Sequence, residues 1–438
     1  MKVLMFGWEF PPHISGGLGT ACYGLAKSLA ALQVEVIFVV PKVWGDEEKT
    51  GITLLGASEI QVIHRQIDFE DIEAKLDYYE LHSELIPYLG TNEFYELNSK
   101  VTASNKNFVE VTDEGKILFI GEYGEKLFQE IGYYALVAEK LAAEIDFDVI
   151  HVHDWMTFPA GIAAKRISGK PLVVHVHSTE FDRGGYQVNS AIYEAERIGL
   201  ESADQVIAVS DYTRQMVIRN YYIEQEKVKT VYNAVEPVHS NQPSIVREKR
   251  KEKTVLFMGR ITGQKGPEYF VEAAKLVLQQ IPEVRFVMAG KGDQRNQMIT
   301  KVISLGLQEN FEFPGFIPDQ EVYERFCQSD IFVMPSSSEP FGIVALEAMQ
   351  AGLPVVISQQ SGVAEILENV LKVDYWNVRG MADIIMKLLK DETFSRKIGN
   401  KGCQEVKKLI WKDRAEAIRD VYKKIIGKAS PDGYEIEK

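Results

Sequence analysis

The sequence predicts an α/β protein built of two doubly wound, Rossmann-like domains facing a cleft. Three observations carry that prediction. The chain has 438 residues, more than a single hydrophobic core usually serves. Short apolar runs recur, each followed by a loop and then a helical pattern, as buried parallel strands alternating with helices do. That rhythm stops at residues 240–253 and then starts again.

In the first half, "KVLMF" leads through a loop to "GTACYGLAKSLAAL" and "VEVIFVV". "FDVIHVH", "PLVVHVHS" and "QVIAVS" follow as further strands. Residues 45–130 break the pattern with mixed polar and aromatic segments and read as an insertion in the first domain. Within it, "FVEVTDEGKILFI" predicts a hairpin around "DEG". "SNQPSIVREKRKEK" is polar and ends in seven consecutive charges, Arg247 to Lys253, which reads as a solvated linker. The second half runs "TVLFMG", helix, "VRFVMAG", helix, "NFEFPGF", helix, "DIFVMP", helix, "PVVIS". The expected domains are 1–238, 239–412, and a last helix with its tail over 413–438. The tail "ASPDGYEIEK" is expected to fray.

Composition narrows the partners. The chain is 45% hydrophobic and 26% charged, with a formal net charge of -14 and a pI near 5.2. That balance repels phosphate backbones and anionic lipid, so neither nucleic acid nor membrane is an expected partner. Cys22, Cys327 and Cys403 are scattered and lack C-x-x-C spacing. They argue for a reducing compartment and against a disulfide framework or zinc ribbon. Glu9 and Pro11-Pro12 interrupt the apolar N-terminus before a signal core forms. No run reaches the roughly 18 apolar residues of a membrane helix. A soluble, cytoplasmic protein is expected.

The chemistry-bearing stretches sit where strands meet loops. In "PSSSEPFGIVALEAMQAGLPVV", Glu339 and Glu347 stand eight positions apart. Glu339 precedes Pro340, which disfavours helical geometry at Glu339 and suits the first helical turn itself. The helix is expected to run to about Gln350, with Gly352 closing it. Glu339 is then a loop carboxylate at a helix N-terminus and Glu347 a residue about two turns along. "FMGRITGQKG" places Arg260 and Lys265 in the loop after a strand, a fork and a point charge suited to a diphosphate. It is not a P-loop: Gly259 and Gly263 are four apart and Lys265 is not followed by Ser or Thr.

"PPHISGGLGTACYG" opens the first helix with Gly16 and Gly17, which let backbone N–H groups approach a phosphate. About eight residues separate its glycines from the strand, where a dinucleotide fingerprint needs a tight turn. "SGVAEIL", residues 361–367, is a second small-residue loop leading into a helix. Histidines pair as "IHVHDW" and "VVHVHS"; within each pair the rings share a strand face. A metal site is the sharp alternative for them, but Asp154 follows His153 directly and no third histidine is near in sequence. The ends of the strands favour His153 and His177 as open to the cleft, and His151 and His175 as buried and hydrogen-bonded. "DFD", Asp146 to Asp148, is read as a turn before a strand rather than a metal motif.

Together these motifs resemble the retaining glycosyltransferases of the GT-B fold, and among them the glycogen/starch synthases. "WEFPPHISGGLG", "VIHVHDW", "GRITGQKG", "EPFGIVALEAM" and "SGVAEI" carry the resemblance across nearly the whole chain. It implies transfer of glucose from ADP-glucose or UDP-glucose to an α-1,4-glucan, with no metal or other cofactor. It implies that Arg260 and Lys265 neutralise the leaving diphosphate and that Glu347 takes the ribose hydroxyls. Glu339 would face the donor glucose and the acceptor, with Phe341 and Gly342 beside it. His153, with Asp154 and His177 in the sugar pocket, would approach from the first domain. Gly17, Gly362 and Val363 would offer backbone N–H groups, and Gly292 would border the base. The last helix would cross back onto the first domain. Relatives of this type carry a Lys two residues before the Gly-Gly pair, where this chain has Ile14; the base of the donor stays open.

Overall fold

A computed structural model of the chain describes residues 1–13, 16–47, 51–62, 112, 115–121, 124, 126–185, 187–237 and 252–429. The chain forms two units. The first holds the described residues up to Tyr232 and those from Trp411, and the second spans Asn233 to Ile410.

In the first unit the apolar runs become β1 (Lys2–Phe6), β2 (Glu35–Val40), β3 (Thr53–Gly56), β4 (Val149–His153), β5 (Leu172–Val176), β6 (Gln205–Ala208) and β7 (Val228–Thr230). Their order is β3-β2-β1-β4-β5-β6-β7, and all pairings are parallel. Every residue of β4, β5 and β6 is buried. Covering both faces of a parallel sheet explains why these strands read as continuous apolar runs rather than alternating ones. The helices are α1 (Gly17–Ala31), α2 (Leu127–Glu144), α3 (Phe158–Ser168), α4 (Glu180–Gly184), α5 (Ser190–Ser202) and α6 (Asp211–Tyr221). Side-chain caps start α5 and α6: Asn189 accepts from the Ala191 N–H at 3.0 Å and Ser210 from the Thr213 N–H at 3.0 Å.

The second unit repeats the plan with β8 (Thr254–Met258), β9 (Arg285–Ala289), β10 (Phe311–Gly315), β11 (Ile331–Met334), β12 (Val355–Ser358) and β13 (Leu371–Val373). The order is β10-β9-β8-β11-β12-β13, again all parallel. Its helices are α7 (Pro267–Leu278), α8 (Arg295–Ser304), α9 (Asp319–Cys327), α10 (Ile343–Gln350), α11 (Val378–Lys390) and α12 (Glu392–Val406). Strand order reverses at β1/β4 in one sheet and at β8/β11 in the other. The crevice beyond the carboxyl ends of such a pair is where open α/β sheets bind ligands.

The last helix, α13 (Trp411–Ala429), packs on the first unit. Trp411, Ala415, Ile418, Tyr422 and Ile425 are buried, the spacing of a single apolar stripe. Trp411 lies against Gly24 of α1, and the Tyr422 hydroxyl bonds to Nδ1 of His151.

Three strands were not anticipated: β3 inside the expected insertion, and β7 and β13 at sheet edges. Residues 108–111, 113 and 114 of the expected "DEG" hairpin lie outside the described residues. What is described there is its turn, with the Thr112 N–H donating to the Lys116 carbonyl at 2.8 Å. Of the linker, Glu252 and Lys253 are described, Glu252 pairing with Arg285 and Lys253 with Asp330 and Glu392; its residues 240–251 and the tail beyond Ala429 lie outside the described residues.

Candidate active site

The second unit assembles most of the predicted site at its switch point. The loop after β8 is a 3₁₀ turn, Gly263–Lys265. It is stitched to the loop after β11, because the Ser337 N–H donates to the Gln264 carbonyl at 2.9 Å. It is also stitched to the loop after β9: the Ile261 N–H reaches the Lys291 carbonyl at 2.8 Å and the Gln294 N–H reaches the Ile261 carbonyl at 3.0 Å. Close approach of these backbones requires Gly290. Its φ is +139°, and a Cβ there would lie 1.9 Å from the Gly259 carbonyl oxygen. Gly292 sits in the same loop and its carbonyl accepts from the Arg295 N–H at 3.2 Å.

Across this framework Lys265 meets Glu339. The ammonium lies 2.8 and 2.7 Å from the two carboxylate oxygens. Glu339 is 6% exposed, and its Oε2 also accepts from the Ser336 hydroxyl at 2.9 Å. Residues 74 apart in sequence are thereby joined at the carboxyl ends of β8 and β11. Arg260 is half-buried in the same loop, one residue before the strand-like contact of Ile261 with Lys291.

Several expectations need correction. The helix after Glu339 begins at Ile343, not near Pro340, so Glu347 lies about one turn along and is half-buried. The chain from Glu339 to Phe341 instead runs beside Ser361–Val363 as a short parallel contact, and Gly342 breaks it with φ +105°. A Cβ at Gly342 would lie 2.8 Å from the Met334 methyl, so glycine is needed to start α10. The same contact consumes the N–H groups expected to bind donor phosphate. Gly362 donates to the Glu339 carbonyl and Val363 to the Phe341 carbonyl, each at 2.9 Å. Phe341 itself is buried at 3% exposure and belongs to the core of this loop. Gly352 does close α10, with φ +73°.

In the first unit, Gly16 and Gly17 open α1; both are exposed, and among the described residues nothing beyond their own stretch of chain lies within 4 Å of a Cβ at either position. Backbone there is open to a ligand. Ile14 lies outside the described residues. The histidines depart from expectation. His151, His153, His175 and His177 form one stacked ladder on a single face of β4 and β5, with neighbouring centroids 4.3–5.4 Å apart. The pairing of His153 with His175 in register puts all four on that face. His153 is fully buried, not open to a cleft, and its Nδ1 lies 3.0 Å from Nε2 of His177. His177 is the half-buried member. His175 is buried as expected, but neither ring nitrogen has a partner among the described residues.

Asp154 is also buried, at 2% exposure. Its Oδ1 accepts from the His177 N–H at 2.6 Å and the Ser178 N–H at 3.3 Å, so it clamps the loop after β5 instead of lining an open pocket. Burial pushes its pKa up to about 7. Burial holds His151, His153 and His175 well below the usual histidine range and His177 at about 3. All four rings are neutral at pH 7. Asp148 anchors the start of β1, accepting from the Lys2 N–H at 2.8 Å, which fits the turn reading of "DFD".

Sequence reasoning missed Ser336, Cys22 and Tyr422. Ser336 stands three residues before Glu339, within reach of side-chain hydrogen bonding, and that spacing was visible. Cys22 and Tyr422 meet the histidine ladder only through the packing of α1 and α13.

Comparison with known proteins fits this arrangement. Residues 239–405 match the family described as Glycosyl transferases group 1, and residues 114–239 match Glycosyltransferase Family 4. An uncharacterized glycosyltransferase of Methanocaldococcus jannaschii is 30% identical over 97% of this chain and 98% of its own. An alpha-maltose-1-phosphate synthase of Mycolicibacterium smegmatis is 31% identical over 63% of this chain and 79% of its own. A glycogen synthase of Mycobacterium tuberculosis is 22% identical over 96% and 94%. Among solved structures, sucrose-phosphate synthase from Thermosynechococcus elongatus superposes with a TM-score of 0.72 at 19% identity, covering 98% of this chain and 99% of that one. Anabaena HepE in complex with UDP-glucose gives 0.64 at 17% identity, covering 97% and 100%. Two all-parallel doubly wound units, a cation–carboxylate pair at the second switch point and a full-length glycosyltransferase relative lead to one conclusion: the chain belongs to the glycosyltransferases of the GT-B fold.

Proposed function

We propose that the protein is a retaining glucosyltransferase that moves glucose from ADP-glucose or UDP-glucose to the non-reducing end of an α-1,4-glucan. The observation that carries this reading is the Lys265–Glu339 pair at the β8/β11 switch point. A diphosphate leaving group is an anion that competes with Glu339 for the ammonium. Lys265 then supplies a point charge and Arg260 a planar fork to the phosphate oxygens. In the transfer, the bond from glucose C1 to the phosphate oxygen breaks and its electron pair stays with the diphosphate. The C4 hydroxyl of the glucan end forms the new bond to C1 with configuration kept, and its proton leaves with the departing phosphate. Fixed cations and the N-terminus of α10 stabilise the charge that develops.

Glu339, held by Lys265 and Ser336, is the carboxylate assigned to the reacting sugar. Glu347, half-buried on α10, takes the ribose hydroxyls. In the first unit the exposed backbone at Gly16 and Gly17 suits a phosphate or sugar oxygen. The transfer so written uses no metal. The glycogen synthase likeness supports the glucan acceptor. The higher identity to an alpha-maltose-1-phosphate synthase favours a second reading in which the acceptor is a small sugar.

The test is nucleoside diphosphate release from ADP-glucose and UDP-glucose, with and without glycogen, in the presence of chelator. Glycogen-dependent release from either donor supports the glucan reading. Release that requires a small sugar and ignores glycogen moves the assignment to the second. Donor binding without release under any acceptor overturns both.

A further inference from the structure

The second unit carries an aromatic cluster that the transfer reading does not use. Tyr269 stands in the first turn of α7, and Tyr375 and Trp376 lie in the turn between β13 and α11. The ring centroids of Tyr269 and Tyr375 are 5.0 Å apart at 63°, and those of Tyr375 and Trp376 are 4.8 Å apart at 83°. Edge-to-face contacts of this kind leave ring faces uncovered. Trp376 is 57% exposed, and both tyrosines are half-buried. The turn that presents Trp376 is fixed. The Asn377 N–H donates to the Asp374 carbonyl and the Val378 N–H to the Trp376 carbonyl, each at 2.9 Å. The Asn377 side chain caps α11 by accepting from the Gly380 N–H at 2.9 Å. An indole held in water on a rigid turn forgoes the burial that large rings otherwise gain.

The cluster hangs on the loops that carry the Lys265–Glu339 pair. Tyr269 follows Lys265 by one short turn, with its N–H on the Gly266 carbonyl at 3.1 Å. Gln360 is a strut between the two places. Its carbonyl accepts from the Glu339 N–H at 2.9 Å, while its side chain donates to Asp374 Oδ1 at 3.0 Å and accepts from the Tyr375 N–H at 3.4 Å. In the sheet β13 is two strands from β11, about 10 Å at the usual strand spacing. The cluster therefore flanks the transfer site without lining it.

Size and chemistry limit what covers it. The other exposed large hydrophobics described in this unit, Ile303 and Phe316, lie on the β9–β10 side of the sheet, away from β13. A protein partner needs about 800 Å² per side, more than one indole and two half-buried phenols provide. A sugar ring needs far less: one flat aromatic face for its C–H groups and polar groups at the rim for its hydroxyls. Gln360, Asp374 and the tyrosine hydroxyls supply that rim.

We propose that Tyr269, Tyr375 and Trp376 form a surface site for an α-1,4-glucan chain, separate from the transfer site and holding the polymer beside it. The choice of α-glucan rests on the proposed transfer; the aromatic platform does not.

The experiment uses the full chain and β-cyclodextrin, a closed ring of α-1,4-linked glucose. With no non-reducing end, it fits the platform but cannot accept glucose. Calorimetry reads its binding, and native electrophoresis through a gel containing glycogen reads retention by the polymer. Trp376→Ala, at an exposed position, is expected to weaken both by about tenfold, the scale of one lost ring contact. Tyr222→Ala, at an exposed tyrosine of the first unit, is expected to change neither. Where nucleoside diphosphate release depends on glycogen, Trp376→Ala raises KM for glycogen and leaves turnover on maltotriose unchanged. Cyclodextrin binding that depends on Trp376 in a chain that does not extend glycogen keeps the site and overturns the glucan transfer. Wild-type chain that does not bind cyclodextrin, or binding equal in wild type and Trp376→Ala, overturns the site, whatever the outcome for transfer.

Discussion

Replacing Lys265 by Met tests whether the switch-point pair holds the second unit together as well as serving a ligand. Ammonium and carboxylate at 2.7–2.8 Å attract by about 6 kcal/mol at an effective dielectric of about 20. Desolvating Glu339 takes back part of that. Removing one partner of a buried pair costs about 3–5 kcal/mol, because the other charge is stranded. Lys265 keeps 20% of its side chain exposed, which places the cost at the lower end, about 3 kcal/mol. Glu339→Gln costs less, about 1 kcal/mol, because Gln still accepts from Ser336 and the ammonium can turn to water. The double variant is expected to lose about 1 kcal/mol rather than the sum of about 4, leaving a coupling near 3 kcal/mol. Hydrogen exchange by mass spectrometry reads this unit by unit. At 1.4 kcal/mol per tenfold, amides in β8 and β11 of Lys265→Met exchange about 10²-fold faster, and those in β5 are unchanged. Exchange in Lys265→Met within a factor of two of wild type refutes the reasoning. So does a double variant that equals the sum of the singles.

Glu339→Gln is expected to lower turnover by roughly 10²–10⁴ with the fold intact, the scale of a positioned acid or base; steady-state release of nucleoside diphosphate checks it. Arg260→Ala is expected to weaken donor binding by about 1.5–3 kcal/mol, as a charged hydrogen bond does, measured by calorimetry with ADP-glucose and UDP-glucose. Gly290→Ala adds a Cβ 1.9 Å from a backbone oxygen at φ +139° and is expected to destabilise the second unit by at least about 2 kcal/mol. Gly306→Ala, at φ +69° with open space around it, is expected to cost only about 1 kcal/mol; paired exchange measurements separate clash from strain. Burial raises the pKa of Glu196 from 4.5 to about 7, so the folded state holds that proton more tightly than the unfolded state. Its contribution is present below about pH 4.5 and is lost as pH rises to about 7, by about 3 kcal/mol. Glu196→Gln flattens that part of the stability profile, read from urea midpoints across the window.

Much of this architecture was legible because burial leaves a mark on composition. Strands enclosed on both faces, such as β4 and β12, are runs of apolar residues, and helices between them carry their own period. The edge strands β7 and β13 are three residues each and have no such mark; they exist because a neighbouring strand offers hydrogen bonds. The loop positions of Arg260, Lys265 and Glu339 at the ends of strands were legible. Their use was not. Whether the N–H of Gly362 faces a ligand or a carbonyl depends on the contact of Glu339 with Ser361, two loops that meet only in the folded sheet. His153 seemed open from its place at a strand end, but α1 and its own stacked neighbours enclose it.

The return of α13 to the first unit has a consequence for how the chain is made. All seven strands of the first sheet precede residue 231, yet the stripe from Trp411 to Ile425 that covers α1 and the His151 ring comes last. A nascent chain that has emerged as far as Ile410 can close the second unit while the first still shows the apolar groove beside Gly24 to solvent. The second unit can therefore be complete while the first still waits for the nineteen-residue helix that covers α1. Cellular quality control has a long interval in which to act on that groove. A stop codon after residue 410 would leave every strand in place and still yield a chain whose first unit is never sealed.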